Sequence, residues 1–246
     1  MRTPDGPIDP AELDALDPDL ERNDLWSITW RRLSGRYQID EFGLDRDLLS
    51  LVSPLAGLRW RVVVEGDQRL PEVGPALLVH NRRLGLSEPG VLGVAVRRAT
   101  GRPLRWAGAP GRGPLAQTAR QLGGVPSDRA DLRSLLHAGE LVSLPLPREP
   151  VHRFHVPAVP AMPVEVALAL GVPIVPVAVS GLEAARRWIV RIGAPIATRR
   201  RRSTGDPVEL AEATRAAVRE LLTESRRAAP GTAEGRRRAT RESMGR

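Results

Sequence analysis

Short apolar runs recur along this chain at 61–64, 76–79, 104–107, 141–144, 174–179 and 189–192, each four to six residues long and rich in Val, Leu and Ile. Runs of that length, bounded by Gly, Pro and charged residues, predict β-strands. Between several of them lie helical stretches, at 87–99, 114–122, 128–138 and 160–170. The last three are followed at once by Gly123, Gly139 and Gly171, the residue type that closes a helix by turning left-handed. Strands alternating with helices of about ten residues predict an α/β fold, a mostly parallel sheet flanked by helices.

Two more helices are predicted ahead of the first strand, at 26–33 and 45–58, the second interrupted by Pro54. The clearest amphipathic helix is 206–227, with Val208, Ala211, Val218, Leu221 and Leu222 on one stripe and the Glu212–Arg215 pair on the other, and it is expected to pack on the sheet edge. The stretch 166–182 is uncharged for seventeen residues, yet Gly171, Pro173 and Pro176 divide it into helix, turn and strand rather than a membrane span. Residues 1–24, rich in Asp and Pro, read as a disordered acidic arm, 25–227 as one α/β domain, and 228–246, rich in Gly, Ala and Arg, as a disordered basic tail.

Composition narrows the chemistry. The chain has no Cys, which excludes disulfides, thiolate metal sites and a cysteine nucleophile and fits a reducing cytosol. Its basic residues are all Arg, which together with abundant Ala, Gly and Pro points to a GC-rich bacterial genome. Net charge is +8, but residues 1–25 carry two Arg against eight acids and 199–246 thirteen Arg against seven, so the intervening 173 residues are basic in their own right. Such a field draws phosphates, anionic lipid heads or nucleic acid. Eight aromatics leave few stacking platforms for single strands, so no specific nucleic-acid partner is expected, and nonspecific binding through the Arg-rich tail is the weaker alternative. Arg199 to Arg202 read as a solvated charge run or a contact with an anionic membrane surface. The first residues lack the basic-then-apolar pattern of an export signal, so the expected location is cytoplasmic, at most peripheral at the inner face of the plasma membrane.

Reactive groups concentrate where the run 76–79 empties into His80, Asn81, Arg82 and Arg83, followed by Ser87, Glu88 and Pro89. This is strand, loop and helix N-terminus, with Ser87 as cap and Glu88 in the first turn, and open α/β sheets gather their active sites at such strand ends. His80 and Glu88 are the titratable candidates for chemistry in this stretch. The plainer alternatives are a His bonded to a loop carbonyl and a Glu favoured by the helix dipole. Arg82 and Arg83, beside a helix N-terminus, suit an anion, and Arg129 either pairs with its own helix or joins that anion site. His152 and His155 have no acid between them and no helix around them, so no metal is expected. Residues 85–89 lack the second Gly of a nucleophile elbow, and 108–113 lack the Lys-Ser or Lys-Thr of a nucleotide loop.

Four segments in register resemble the glycerophospholipid acyltransferase family, which acylates lysophosphatidic acid and related lysophospholipids, in its actinobacterial form. Tyr37-Gln38-Ile39-Asp40-Glu41-Phe42-Gly43-Leu44-Asp45 is similar to the family's opening helix signature. Leu122-Gly123-Gly124-Val125-Pro126-Ser127-Asp128-Arg129 resembles its second motif, and Gly171-Val172-Pro173-Ile174-Val175-Pro176-Val177 its fourth, with order and spacing held from about 35 to 200. The resemblance implies that a His acts as general base, held by an acid a few residues on, while a glycerol hydroxyl attacks an acyl thioester. It implies a lysophospholipid or glycerol phosphate as acceptor, acyl-CoA or acyl carrier protein as donor, no cofactor, and a basic, membrane-facing cleft.

The chain also departs from that pattern. Aligned without gaps, Asn81 falls on the family's Asn and Arg82 on its His; a local slip instead lets His80 supply the imidazole and Glu88, eight residues on where the family has five to seven, the acid. The resemblance also implies that an Arg of the second motif, here Arg129, and a Pro-Glu-Gly turn of the third hold the lipid phosphate, but Leu144-Pro145-Leu146-Pro147 stands where Phe-Pro-Glu-Gly is expected. Two readings stay open: an acyltransferase using His80 and Glu88 with Asn81, Arg82, Arg83 and Arg129 on the substrate, or a catalytically impaired homologue that binds acidic lipid or acyl chains or regulates a partner.

Overall fold

A computed structural model of the chain describes residues 30, 39–82, 87–147, 156–184, 186–198 and 206–227, with Arg226 described in its backbone only. The acidic arm 1–24, nearly all of the helix expected at 26–33, Arg83, His152, His155, Arg199 to Arg202 and the tail 228–246 lie outside the described residues.

Among the described residues the chain forms α1 (Arg46–Arg59), β1 (Arg61–Glu65), a 3-10 turn (Asp67–Arg69), β2 (Ala76–His80), α2 (Ser87–Thr100), β3 (Leu104–Ala107), α3 (Pro114–Gln121), β4 (Gly124–Val125), α4 (Arg129–His137), β5 (Leu141–Pro145), α5 (Ala161–Leu170), β6 (Ile174–Gly181), β7 (Arg187–Ile192) and α6 (Pro207–Arg227). The strands make one sheet in the order β1-β7-β6-β2-β5-β3-β4, every pairing parallel except β6 with β7. This is the mostly parallel α/β sheet expected. Pro54 lies inside α1 without ending it, and the stretch 166–182 is the end of α5, a turn at Gly171 and β6. No helix among the described residues is long and apolar enough to cross a membrane.

Strand alternation sorts the core into two layers. On one face Leu77, Val79, Val142, Leu144 and Ile174 pack against Leu132, Leu135 and Leu136 of α4, Val164 and Ala167 of α5, and Ala211 and Val218 of α6. On the other, Ala76, Leu78, Val175, Val177, Val179 and Trp188 meet Val91, Leu92, Ala95 and Val96 of α2. β2 lies between β5 and β6 and is covered on both faces, which is why its five residues are all buried and the first four, 76–79, read as an unbroken apolar run.

Residues 39–45, the described part of the segment that resembles the family's opening signature, form a turn ahead of the helix expected at 45–58: Ile39 pairs with Asp45, Gly43 takes φ 88°, and the Asp40 carboxylate accepts from the Phe42 and Leu44 N–H groups at 3.0 and 2.9 Å. Helix α1 begins only after Asp45, whose side chain caps it by accepting from the Leu48 N–H at 2.8 Å. The amphipathic helix α6 lies across the sheet face over β6 rather than at an edge.

The 40–45 turn is held by charge. Arg105 of β3 is fully buried, ion-paired to Asp40, within 3.3 Å of Glu140, and its guanidinium lies 5.6 Å from the centre of the Phe42 ring. Burial alone would raise the Asp40 pKa, but hydrogen bonds from Arg105 and the two backbone N–H groups outweigh it and hold the carboxyl below its ordinary 3.8. Asp40→Ala should therefore lower unfolding stability at pH 7 by about 2 kcal/mol in urea denaturation, Glu140 remaining as second partner. A depressed carboxyl stabilises above its unfolded pKa, so the gap between wild type and variant should close as pH falls below 3.8 and through the lower folded value.

Candidate functional site

His80 is the last residue of β2, and the alternation that sends Leu77 and Val79 to one layer sends Ala76, Leu78 and His80 to the layer of α2. Its backbone is fixed from both sides, paired with Val177 of β6 and with Pro145 of β5, and its carbonyl accepts the Leu146 N–H at 2.9 Å. The next residue, Asn81, continues the ladder with its side chain: Nδ2 donates to the Val179 carbonyl at 3.0 Å and Oδ1 accepts the Val179 N–H at 2.7 Å.

His80 is 1 % exposed, and its Nδ1 lies 3.2 Å from the Asn81 carbonyl and 3.3 Å from Oε1 of Glu88, itself 5 % exposed. Both neighbours accept hydrogen bonds, so Nδ1 carries the proton and Nε2 the lone pair, the tautomer a general base requires. Nε2 makes no hydrogen bond among the described residues. Burial drives the His80 pKa from 6.5 down to about 4; the Asn81 carbonyl pulls the other way, and the positive charge of Arg82 lowers it further. At neutral pH the imidazole is therefore uncharged, and its contact with Glu88 is not an ion pair.

Glu88 reaches His80 because α2 starts at Ser87 and places it in the first turn, where a carboxylate also meets the positive end of the helix dipole. Ser87 is not the cap that the sequence suggests. It is already helical, and the cap comes from Glu183 in the β6–β7 turn, whose Oε1 accepts the Ser87 N–H at 3.0 Å and the Ser87 hydroxyl at 2.6 Å. Sequence reasoning missed Glu183, which stands 96 residues away and carries no local signal.

The structure thus brings His80 and Glu88 together, leaves the charge of Arg82 close enough to act on His80, and engages Asn81 and Arg129 elsewhere. Asn81 serves as a strut between β2 and β6 instead of facing a substrate, because both ends of its amide are held by Val179. Arg82 is exposed at the end of β2, and Arg83 lies outside the described residues. Arg129 starts α4, which packs on the opposite layer of the sheet, and its guanidinium binds Glu165 of α5 at 2.6 Å with more than half of its side chain exposed. The expected convergence of Arg129 on the His80 loop is therefore replaced by a surface ion pair. Its motif is structural: Gly123 turns left-handed, Gly124–Val125 is β4, and the Asp128 carboxylate caps α4 by accepting from Asp131 N–H at 2.8 Å. Leu146, where the resemblance would place an acid, is fully buried in the core under α4 and α5.

No family profile matches the chain, and no curated protein sequence matches it. Among solved structures the chain is similar to the 1-acyl-sn-glycerophosphate (LPA) acyltransferase PlsC from Thermotoga maritima, with a TM-score of 0.57 and 17% identity over 73% of this chain and 80% of that chain. A likeness at that identity speaks to architecture, and the mostly parallel, helix-flanked sheet of this chain is the architecture of that acyltransferase.

Proposed function

We propose that this protein is an acyltransferase that moves a fatty acyl group from an acyl thioester to the hydroxyl of a lysophospholipid or glycerol phosphate. The observation that carries the reading is the buried contact of His80 Nδ1 with Glu88 Oε1 at 3.3 Å, at the carboxyl end of the central strand, in a fold similar to that of an LPA acyltransferase. Asp or Glu facing Nδ1 of a His leaves Nε2 as the nitrogen that can accept a hydroxyl proton, the arrangement that activates a hydroxyl.

In this reading Nε2 of His80 accepts the proton of the acceptor's hydroxyl as its oxygen attacks the thioester carbonyl. The C–S bond breaks as the tetrahedral intermediate collapses, and the imidazolium returns its proton to the departing thiolate. Glu88 fixes the tautomer and stabilises the transient imidazolium. Arg82, exposed beside the site, and Arg83 supply positive charge for a phosphate, and the acyl donor is a carrier thioester, so no metal or cofactor is needed. The basic field of the chain favours an anionic membrane surface as the place where it meets lipid.

Two observations favour the second reading, a homologue that binds acidic lipid without turnover: Leu146 fills with core packing a position that the family gives to a phosphate-binding acid turn, and Arg129 is engaged by Glu165. Binding of a lysophospholipid with no transfer from a radiolabelled acyl thioester in wild type would select it.

His80→Ala should reduce acyl transfer by at least about a hundredfold while leaving lysophospholipid binding largely intact; full turnover in that variant removes His80 from the mechanism. Glu88→Gln, which keeps the shape but weakens the acceptor at Nδ1, should lower kcat by about tenfold or more with KM little changed. Because His80 must be neutral to act and its pKa is held near 4, kcat/KM should rise with pH through an apparent pKa of about 4 and stay flat through neutrality, whereas an unshifted His would place the limb near 6.5.

A further inference from the structure

Two contacts from one segment bracket the His80–Glu88 pair. Val179 of β6 grips Asn81, the residue after His80, and Glu183, four residues further on, grips Ser87, the residue before Glu88. The β6–β7 turn that carries Glu183 is itself anchored. The Glu183 carbonyl accepts from Nη2 of Arg59 at 3.0 Å, and Nη2 of Arg186 donates to the Leu58 carbonyl at 2.8 Å, tying both sides of the turn to the end of α1.

We propose that Glu183 is a positioning residue for the acyl transfer: its carboxylate clamps the first turn of α2 and thereby holds Glu88 against His80. The inference rests on the reading of His80 and Glu88 given under Proposed function. Its physical basis is that the first N–H groups of a helix have no partner within the helix, so an uncapped first turn frays, and Glu88 sits in that turn. An anionic oxygen accepting both the N–H and the hydroxyl of Ser87 gives two charge-assisted hydrogen bonds at the positive end of the helix dipole. Ser87 and Glu88 share a peptide unit, so movement of one displaces the other, and a displacement of about 1 Å at a catalytic carboxylate is worth up to a hundredfold in rate. The clamp has a second consequence. A helix N-terminus would attract a phosphate, but here the chain's own carboxylate takes the Ser87 N–H, so among the described residues of this end of the sheet an anionic head group is left to Arg82.

The test uses the full-length protein labelled with nitrogen-15 in its four histidines, the His80 signals being assigned from their loss in His80→Gln. At pH 7 the wild type should show His80 as the Nδ1–H tautomer. In Glu183→Ala that signal should shift toward the mixed tautomers of a solvated imidazole, and kcat should fall by about tenfold with KM within about twofold. Glu183→Gln, whose amide oxygen still accepts from Ser87, should keep the wild-type spectrum and most of kcat. Ser87→Ala, which removes only the hydroxyl half of the clamp, should fall between the two and serves if Glu183→Ala does not fold. An unchanged His80 tautomer signal in folded Glu183→Ala and in Ser87→Ala overturns the proposal. Should wild type transfer no acyl group at all, the functional reading fails while the spectra still decide whether Glu183 governs the His80–Glu88 contact.

Discussion

A neutral imidazole held between a carbonyl and a carboxylate, out of contact with water, is the arrangement on which the rest of this structure depends. Taking a histidine and a glutamate into the interior is costly unless each finds a partner, and His80 and Glu88 find each other. The same burial that makes the contact necessary keeps the imidazole from charging, because low dielectric disfavours the protonated form. Sheet order then becomes a requirement of the site. β2 must lie between two strands so that its last residue is fixed in register, and α2 must cover the layer toward which that residue points.

Much of the fold was legible because the hydrophobic period reports burial directly. β2 and β6 read as unbroken apolar runs since both faces of the sheet are covered, and Gly123, Gly139 and Gly171 marked helix ends because only a residue without Cβ turns left-handed there cheaply. β4 escaped notice because two residues carry no period. The reversed direction of β7 is not written in its apolar positions, since a strand packs the same residues whichever way it runs. The signal lay in the connection: only 182–186 separate β6 from β7, too short for the crossover of about a dozen residues that a parallel pair needs.

The site was legible where its parts are neighbours in sequence and obscure where they are not. His80 and Glu88 belong to one strand-loop-helix unit, so their meeting follows from local geometry. The place of Arg129 in its motif says nothing about which layer the following helix joins. In this chain α4 covers the face opposite to α2, and Glu165 on the adjoining helix takes the guanidinium. Asn81 misled for a different reason: a polar residue at a strand end can face a ligand or extend the ladder, and only the pairing with Val179 distinguishes the two.

Those outcomes separate chemistry from recognition. Under the acyltransferase reading, the groups that would withdraw a proton from a hydroxyl, His80 and Glu88, are in contact, and their flanking residues are held by two anchors on β6 and its turn, at Val179 and Glu183. Two groups expected to grip a phosphate have been spent elsewhere: Arg129 on a surface pair, and the position of Leu146 on apolar core beneath α4 and α5. Restoring an acid at position 146 would bury an unpaired carboxylate against Val and Leu, so the loss cannot be reversed by one substitution without a change in the core around it. Under the acyltransferase reading, departures from the family pattern that leave the base held and remove head-group ligands alter which acceptor is bound rather than which bond is made. Selectivity would then rest on Arg82 and the general basic field, and a field set by exposed charges weakens with ionic strength in a way that a built phosphate cradle does not.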